Sequence, residues 1–184
     1  ETVVSRLLAA DDILILCHKN PDGDTIGSGT ALCLALQQLG KNAALLCSDP
    51  IPAMYDYMPI TVFDGSFSPA FVVAVDVAGI QLFGERNNIR DYAEHVNLCI
   101  DHHGSNSGYA YETLLDPGAA AACEFLLDVI VDMGVLLGRK PSAEVPAGAK
   151  SVKLEDPTRT IPRNHAAISF DQDGTLWIED YGSL

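Results

Sequence analysis

One imidazole and two carboxylates, His18, Asp22 and Asp24, fall within seven residues directly after the apolar run Ile13-Leu14-Ile15-Leu16. Two further apolar runs end the same way. Phe71-Val72-Val73-Ala74-Val75 leads into Asp76, and Val96-Asn97-Leu98-Cys99-Ile100 leads into Asp101-His102-His103. A donor set of imidazole nitrogens and carboxylate oxygens, without thiolates, suits Mn²⁺, and also Mg²⁺, Co²⁺ or Zn²⁺. A single carboxylate can bridge two such ions about 3.5–4 Å apart, and Asp76 is the expected bridge. An ion pair of this kind polarises a phosphoryl group and lowers the pKa of a water between the ions.

These residues converge only if the apolar runs are neighbouring strands. Short β-branched runs flanked by helical patterns read as buried parallel strands. In open α/β sheets the ligand crevice lies beyond the carboxyl ends of such strands. Residues 2–10 carry the spacing of an amphipathic helix. A second helix is expected over about 25–39, with Thr25 as its N-cap and Gly40 as its stop. Ala43–Cys47 reads as a strand, the Pro-punctuated stretch 50–59 as room for a short helix, and Thr61–Phe63 as a short edge strand. An irregular or helical stretch reaches residue 95, and Ala119–Met133 reads as a helix. The alternation predicts an α/β fold with a doubly wound, Rossmann-like parallel sheet and right-handed crossovers. The start of the helix near Thr25 points its positive end at the ligand loop, which favours an anion there.

The character changes after Gly134, so a boundary is expected near 134–138, with one domain over 1–134 and a short β-rich fragment over 135–184. Residues 138–162 are polar and rich in Pro, Gly and Lys. His165–Phe170 and Leu176–Glu179 alternate as two half-buried strands joined by Asp171-Gln172-Asp173-Gly174, which suits a hairpin turn.

Composition narrows the partners. The chain has 184 residues, 48% of them hydrophobic, and a net charge of −14, so a broad duplex-DNA-binding face is not expected. Bound divalent cations would offset the acidity locally and keep phosphate-bearing small molecules in range. Five dispersed cysteines, Cys17, Cys33, Cys47, Cys99 and Cys123, lack Cys-x-x-Cys spacing and predict reduced, buried side chains and a cytoplasmic location. No apolar stretch reaches membrane-spanning length. The first residue is Glu rather than Met, which predicts a trimmed start.

At the ligand motifs the chain resembles the DHH phosphoesterase family. His18-Lys-Asn20-Pro-Asp22-Gly-Asp24-Thr-Ile-Gly27-Ser28 is similar to the first family motif, Asp76 to the second, and Asp101-His102-His103-Gly104 to the one that names the family. The stretch Leu45–Pro59, with Ser-Asp-Pro-Ile-Pro, resembles the branch that degrades short oligoribonucleotides and dephosphorylates 3′-phosphoadenosine 5′-phosphate. The resemblance implies that His18, Asp22 and Asp76 hold one Mn²⁺ and that Asp24, Asp76 and His102 hold another. It implies that His103 contacts the scissile phosphate and that Asp101 orients the histidines. The implied substrates are small nucleotides or short single-stranded RNA, with inorganic pyrophosphate as the alternative. The resemblance covers about residues 1–134. It stops short of the strand from which the family takes a further Asp ligand, and of the family's glycine-rich C-terminal domain. Asp128 and Asp132 lie on a helix and are expected to face solvent.

The tail resembles a different family, the middle of a forkhead-associated domain, on Gly138-Arg139, Ile161-Pro162-Arg163-Asn164-His165-Ala166 and Ile178-Glu179-Asp180-Tyr181-Gly182-Ser183. That resemblance implies phosphothreonine-peptide binding through Arg139 and Arg163, and the alternative function it offers is such binding beside an inactive DHH remnant. Pro162 stands where the forkhead-associated pattern has a phosphate-binding Ser, and it offers neither hydroxyl nor backbone donor.

Overall fold

Aliphatic runs four or five residues long, each buried on both faces, can be satisfied only in the middle of a layered sheet. The computed structural model describes residues 2–138, 150–153, 166–170 and 176–180. In chain order its first elements are α1 (Val3–Ala9), β1 (Ile13–Leu16), α2 (Gly23–Gln38), β2 (Ala43–Leu46), β3 (Phe71–Val75), α3 (Arg90–Ala93), β4 (Leu98–Asp101), β5 (Glu112–Leu115) and α4 (Ala122–Asp132). The five strands form one parallel sheet in the order β2-β1-β3-β4-β5. The order reverses direction between β1 and β3, so the crevice at a topological switch point opens at the carboxyl ends of those two strands. The α/β class and the parallel sheet are those the sequence predicts.

Residues alternate between the two faces of the sheet. Leu14, Leu16, Leu46, Val72 and Ala74 pack with Phe83, Ile89, Ala93 and Val96 on one side. Phe83 is fully buried there and meets Tyr109 edge-on at 5.7 Å. Helix α2 covers the other face, burying Ile26, Leu32, Cys33 and Leu36. Each such aliphatic burial stabilises by about 1.5–3 kcal/mol against leaving the side chain in water. Gly29 permits the close approach of helix and sheet: a Cβ at that position would lie 3.1 Å from Leu45 Cδ2 and 3.3 Å from Cys17 Sγ.

Several local expectations need correction. Thr25 is not the cap of α2. Asp22 is, its Oδ1 accepting from the amides of Asp24 and Thr25, because a carboxylate on an extended residue reaches the free amides of the first turn. Thr25 is instead buried and donates its hydroxyl to Val75 O at 2.9 Å, tying the start of α2 to the end of β3. The edge strand expected over Thr61–Phe63 is a single parallel bridge, Leu45 to Val62. Strand β5 was not anticipated. It lies at the sheet edge and none of its residues is buried, so it lacks the apolar run that marks the other four. Helix α4 begins at Ala122, three residues later than the periodicity suggests.

The chain divides into two compact units, Glu1–Val129 and Ile130–Leu184. In the second, β6 (Val135–Gly138) pairs in parallel with β7 (Lys150–Lys153). The strands β8 (Ala166–Phe170) and β9 (Leu176–Asp180) pair antiparallel, as their alternation predicts. Strand β7 falls in a polar stretch that carries no strand signal. Arg139, Pro162, Arg163 and His165, and the turn at 171–174, lie outside the described residues.

Candidate metal centre

Asp76 stands immediately after β3 with φ +61°, a left-handed conformation uncommon outside Gly, Asn and Asp. Its amide donates to Ile100 O at 2.8 Å, so the neighbouring strand holds the turn in place. The turn presses the carboxylate into the crevice, where the residue is 3% exposed. Among the described residues Oδ1 has no hydrogen-bond partner although it is buried. A buried carboxylate oxygen without a donor costs several kcal/mol unless a cation compensates it.

Three imidazoles surround that carboxylate. His18 Nε2 lies 3.7 Å from Asp76 Oδ2 and 3.6 Å from Asp22 Oδ1. On the other side His102 Nε2 and His103 Nδ1 lie 3.4 and 3.5 Å from Asp76 Oδ1. These separations are long for hydrogen bonds. Those of His18 and His102 are close to the ~3–3.5 Å expected between donors that share a cation with bonds of about 2.1 Å. Two clusters therefore share Asp76: His18 with Asp22, and His102 with His103.

Backbone carbonyls orient two of the rings. His18 Nδ1 meets Lys19 O at 2.8 Å, and His102 Nδ1 meets Ala119 O at 3.2 Å. In the neutral ring each contact places the proton on Nδ1 and leaves the Nε2 lone pair facing the carboxylates. The third ring is held differently. His103 Nδ1 meets Asp101 Oδ1 at 2.8 Å, and Asp101 Oδ2 accepts from Asn106 Nδ2 at 2.6 Å. Asp101, fully buried, thus orients His103 alone rather than both histidines.

Asp24 has a second engagement. Its Oδ2 is 3.8 Å from His102 Nε2, yet the same carboxylate accepts from the amides of Ala122 at 2.7 Å and Cys123 at 3.1 Å. It caps α4 from across the fold, where the unpaired amides of a helix start favour a negative charge. The expected solvent exposure of Asp128 and Asp132 on that helix holds.

Proton affinities reflect the crowding of carboxylates. The Asp76 carboxylate, helped by Lys19 O and Asp22, raises His18 to about 9. Asp101, then Asp76, raises His103. In the cation-free chain His18 and His103 partly supply the positive charge that the site demands.

All seven residues expected at the centre, His18, Asp22, Asp24, Asp76, Asp101, His102 and His103, come together at one sheet edge. Sequence reasoning missed their supports. Asn106, the carbonyl of Ala119 and the Thr25 hydroxyl leave no periodic signal. Tyr55 was also missed: its ring lies over Gly23, between Asp22 and Asp24, with Oη 3.5 Å from where a Cβ would stand.

A parallel α/β sheet whose strand ends gather carboxylates and imidazoles around one buried Asp is an architecture whose crevice could hold metal ions. The chain belongs to the DHH family: residues 12–150 match the family's N-terminal domain. It is 30% identical over 150 residues to the bifunctional oligoribonuclease and PAP phosphatase NrnA of Thermus thermophilus, an alignment spanning 72% of this chain and 41% of that one. Among solved structures it is similar to an exopolyphosphatase-related protein from Bacteroides fragilis. That likeness has a TM-score of 0.60 at 21% identity and covers 71% of this chain and 42% of the other. The chain therefore spans less than half the length of either relative. Among the described residues no helix is long and apolar enough to cross a membrane.

Proposed function

We propose that this chain carries the metal-binding half of a divalent-cation-dependent phosphoesterase acting on small nucleotides and short oligoribonucleotides. The observation that carries the reading is the buried, partnerless Asp76 Oδ1, set between His18 on one side and His102 and His103 on the other. The donor set fits two hard or borderline cations, Mn²⁺ above all, with Mg²⁺ or Co²⁺ able to substitute. His18, Asp22 and Asp76 would hold one ion; Asp76 and His102, with Asp24 once released from α4, would hold the other. When bound, the cations supply positive charge that polarises a phosphoryl group and acidifies an attacking water.

The chain's own residues do the rest. Lys19 O and Ala119 O keep His18 and His102 in the tautomer that presents Nε2. Asp101 and Asn106 hold His103, 44% exposed, where it can meet the phosphate and donate a proton to the leaving oxygen. Similarity to the Thermus relative supports nucleotide substrates over pyrophosphate.

The test is hydrolysis of an RNA dinucleotide, 3′-phosphoadenosine 5′-phosphate and inorganic pyrophosphate in Mn²⁺. Nucleotide cleavage that disappears on chelation and in Asp76→Asn supports the proposal. Cleavage surviving both changes overturns it, and turnover of pyrophosphate alone moves the reading to a pyrophosphatase.

A further inference from the structure

A cleft of about 600 Å³ opens beside the carboxyl end of β2 and takes no part in the centre described above. Its apolar wall is Val62, Phe63 and Tyr92, with the two rings edge-to-face at 6.0 Å and Val62 56% exposed. Its polar wall carries Asn87, Asn88, Asp49 and Asp64. The Asn87 amide gives its hydrogens to Cys47 O at 2.7 Å and Ser48 O at 3.3 Å, which leaves its carbonyl oxygen without a partner among the described residues. Asp64 adds an exposed carboxylate, its Oδ1 accepting from the Ser66 amide at 2.9 Å, and Asp49 adds one that Arg86 pairs at 3.8 Å.

Position links this cleft to the metal edge. Strand β2 is two places from β3 in the sheet, so the cleft lies roughly 10 Å from the Asp76 strand at about 4.8 Å per strand. That is the reach of a nucleoside unit from its phosphate to its base. Asp49 also belongs to both places: its Oδ2 accepts the amide of Asn20, inside the ligand loop between His18 and Asp22, at 2.9 Å. Asp64, which has no cation partner among the described residues, repels a phosphate, so the cleft suits the other end of a nucleotide. Rings that expose amino hydrogens match the Asn87 carbonyl and the Asp64 carboxylate, and uracil, with two carbonyls, does not.

We propose that this cleft is the nucleobase subsite of the phosphoesterase and selects bases carrying an exocyclic amine. The inference rests on the proposed function, and it adds where the base sits and what the site prefers. Val62 and the aromatic rings give apolar contact to the ring faces; Asn87 and Asp64 take the amino hydrogens.

Calorimetric titration of the Mn²⁺-loaded chain with adenosine 5′-monophosphate, uridine 5′-monophosphate and inorganic phosphate tests it. Adenosine 5′-monophosphate should bind at least tenfold tighter than uridine 5′-monophosphate. Val62→Trp, which fills the cleft from an exposed position, and Asp64→Lys, which reverses an exposed charge, should each weaken it at least tenfold. Neither substitution should change the titration with inorganic phosphate. Equal affinity for the two nucleotides, or adenosine 5′-monophosphate binding unchanged in both variants, overturns the proposal. So does failure of adenosine 5′-monophosphate to bind while phosphate binds, the result expected if another segment of protein occupies the cleft. Failure of the phosphoesterase reading shows separately, as phosphate that does not bind the Mn²⁺-loaded wild type.

Discussion

Asp24→Ala isolates what a residue of the metal edge does for the fold. The Asp24 carboxylate accepts from Ala122 and Cys123 at the start of α4 and from the Ser28 hydroxyl at 3.1 Å, and its side chain is 18% exposed. Loss of an N-capping acceptor costs about 1–2 kcal/mol. Loss of a negative charge at a helix N-terminus costs about 0.3–1 kcal/mol more. Together the substitution should destabilise by about 2 kcal/mol. For a unit of this size, at roughly 3–5 °C per kcal/mol, that lowers Tm by about 6–10 °C. Asp24→Asn keeps one acceptor and loses the charge, so its drop should be about half as large. The melts are run in chelator so that no cation contributes. Hydrogen exchange at the Ala122 and Cys123 amides supplies the local readout, with fast exchange in Asp24→Ala and slow exchange in the wild type. A Tm within about 1 °C of wild type, with the two amides still protected, would refute the cross-fold cap.

Three further outcomes follow from the same geometry. Mn²⁺ at about 100 times its Kd should stabilise the wild type by about 2.7 kcal/mol; Asp76→Asn, which tolerates the left-handed φ, should still fold but lose most of that gain in a thermal-shift titration. Gly84→Ala should destabilise by about 2–4 kcal/mol in urea melts, because position 84 has φ +82° and a Cβ there would lie 2.4 Å from Ser48 Oγ. His18, raised from 6.5 to about 9 in the cation-free fold, contributes stability that is complete below pH 6.5 and lost as pH rises through about 9; His18→Gln should flatten that part of the urea-derived stability profile, and an unchanged slope would remove the ion-pair account.

The sheet and the seven residues of the centre were legible because both rest on local signals. A buried parallel strand has to be an apolar run, and a ligand at its end has to be polar, so Asp76 and Asp101 stand out against Val75 and Ile100. Strand β5 escaped because an edge strand with half-exposed residues lacks that contrast. The cap of α2 was misplaced by three residues because Asp22 and Thr25 are both good capping types, and only the backbone shows which one is extended. Long-range engagements were beyond reach altogether. Asp24 with Ala122 and Asp49 with Asn20 join residues far apart in the chain, and no spacing rule connects them. The cleft beside β2 is of the same kind, assembled from three separate segments of the chain.

Four of the five thiols, those of Cys17, Cys33, Cys47 and Cys99, are shut inside the protein, while Cys123 alone meets solvent. The native chain should consequently take up a single equivalent of a maleimide without any engineering. Because the amide of Cys123 rests on Asp24, a dye attached there would sit beside the crevice and change its emission when cations arrive. The fold thus comes with its own address for a fluorescent reporter.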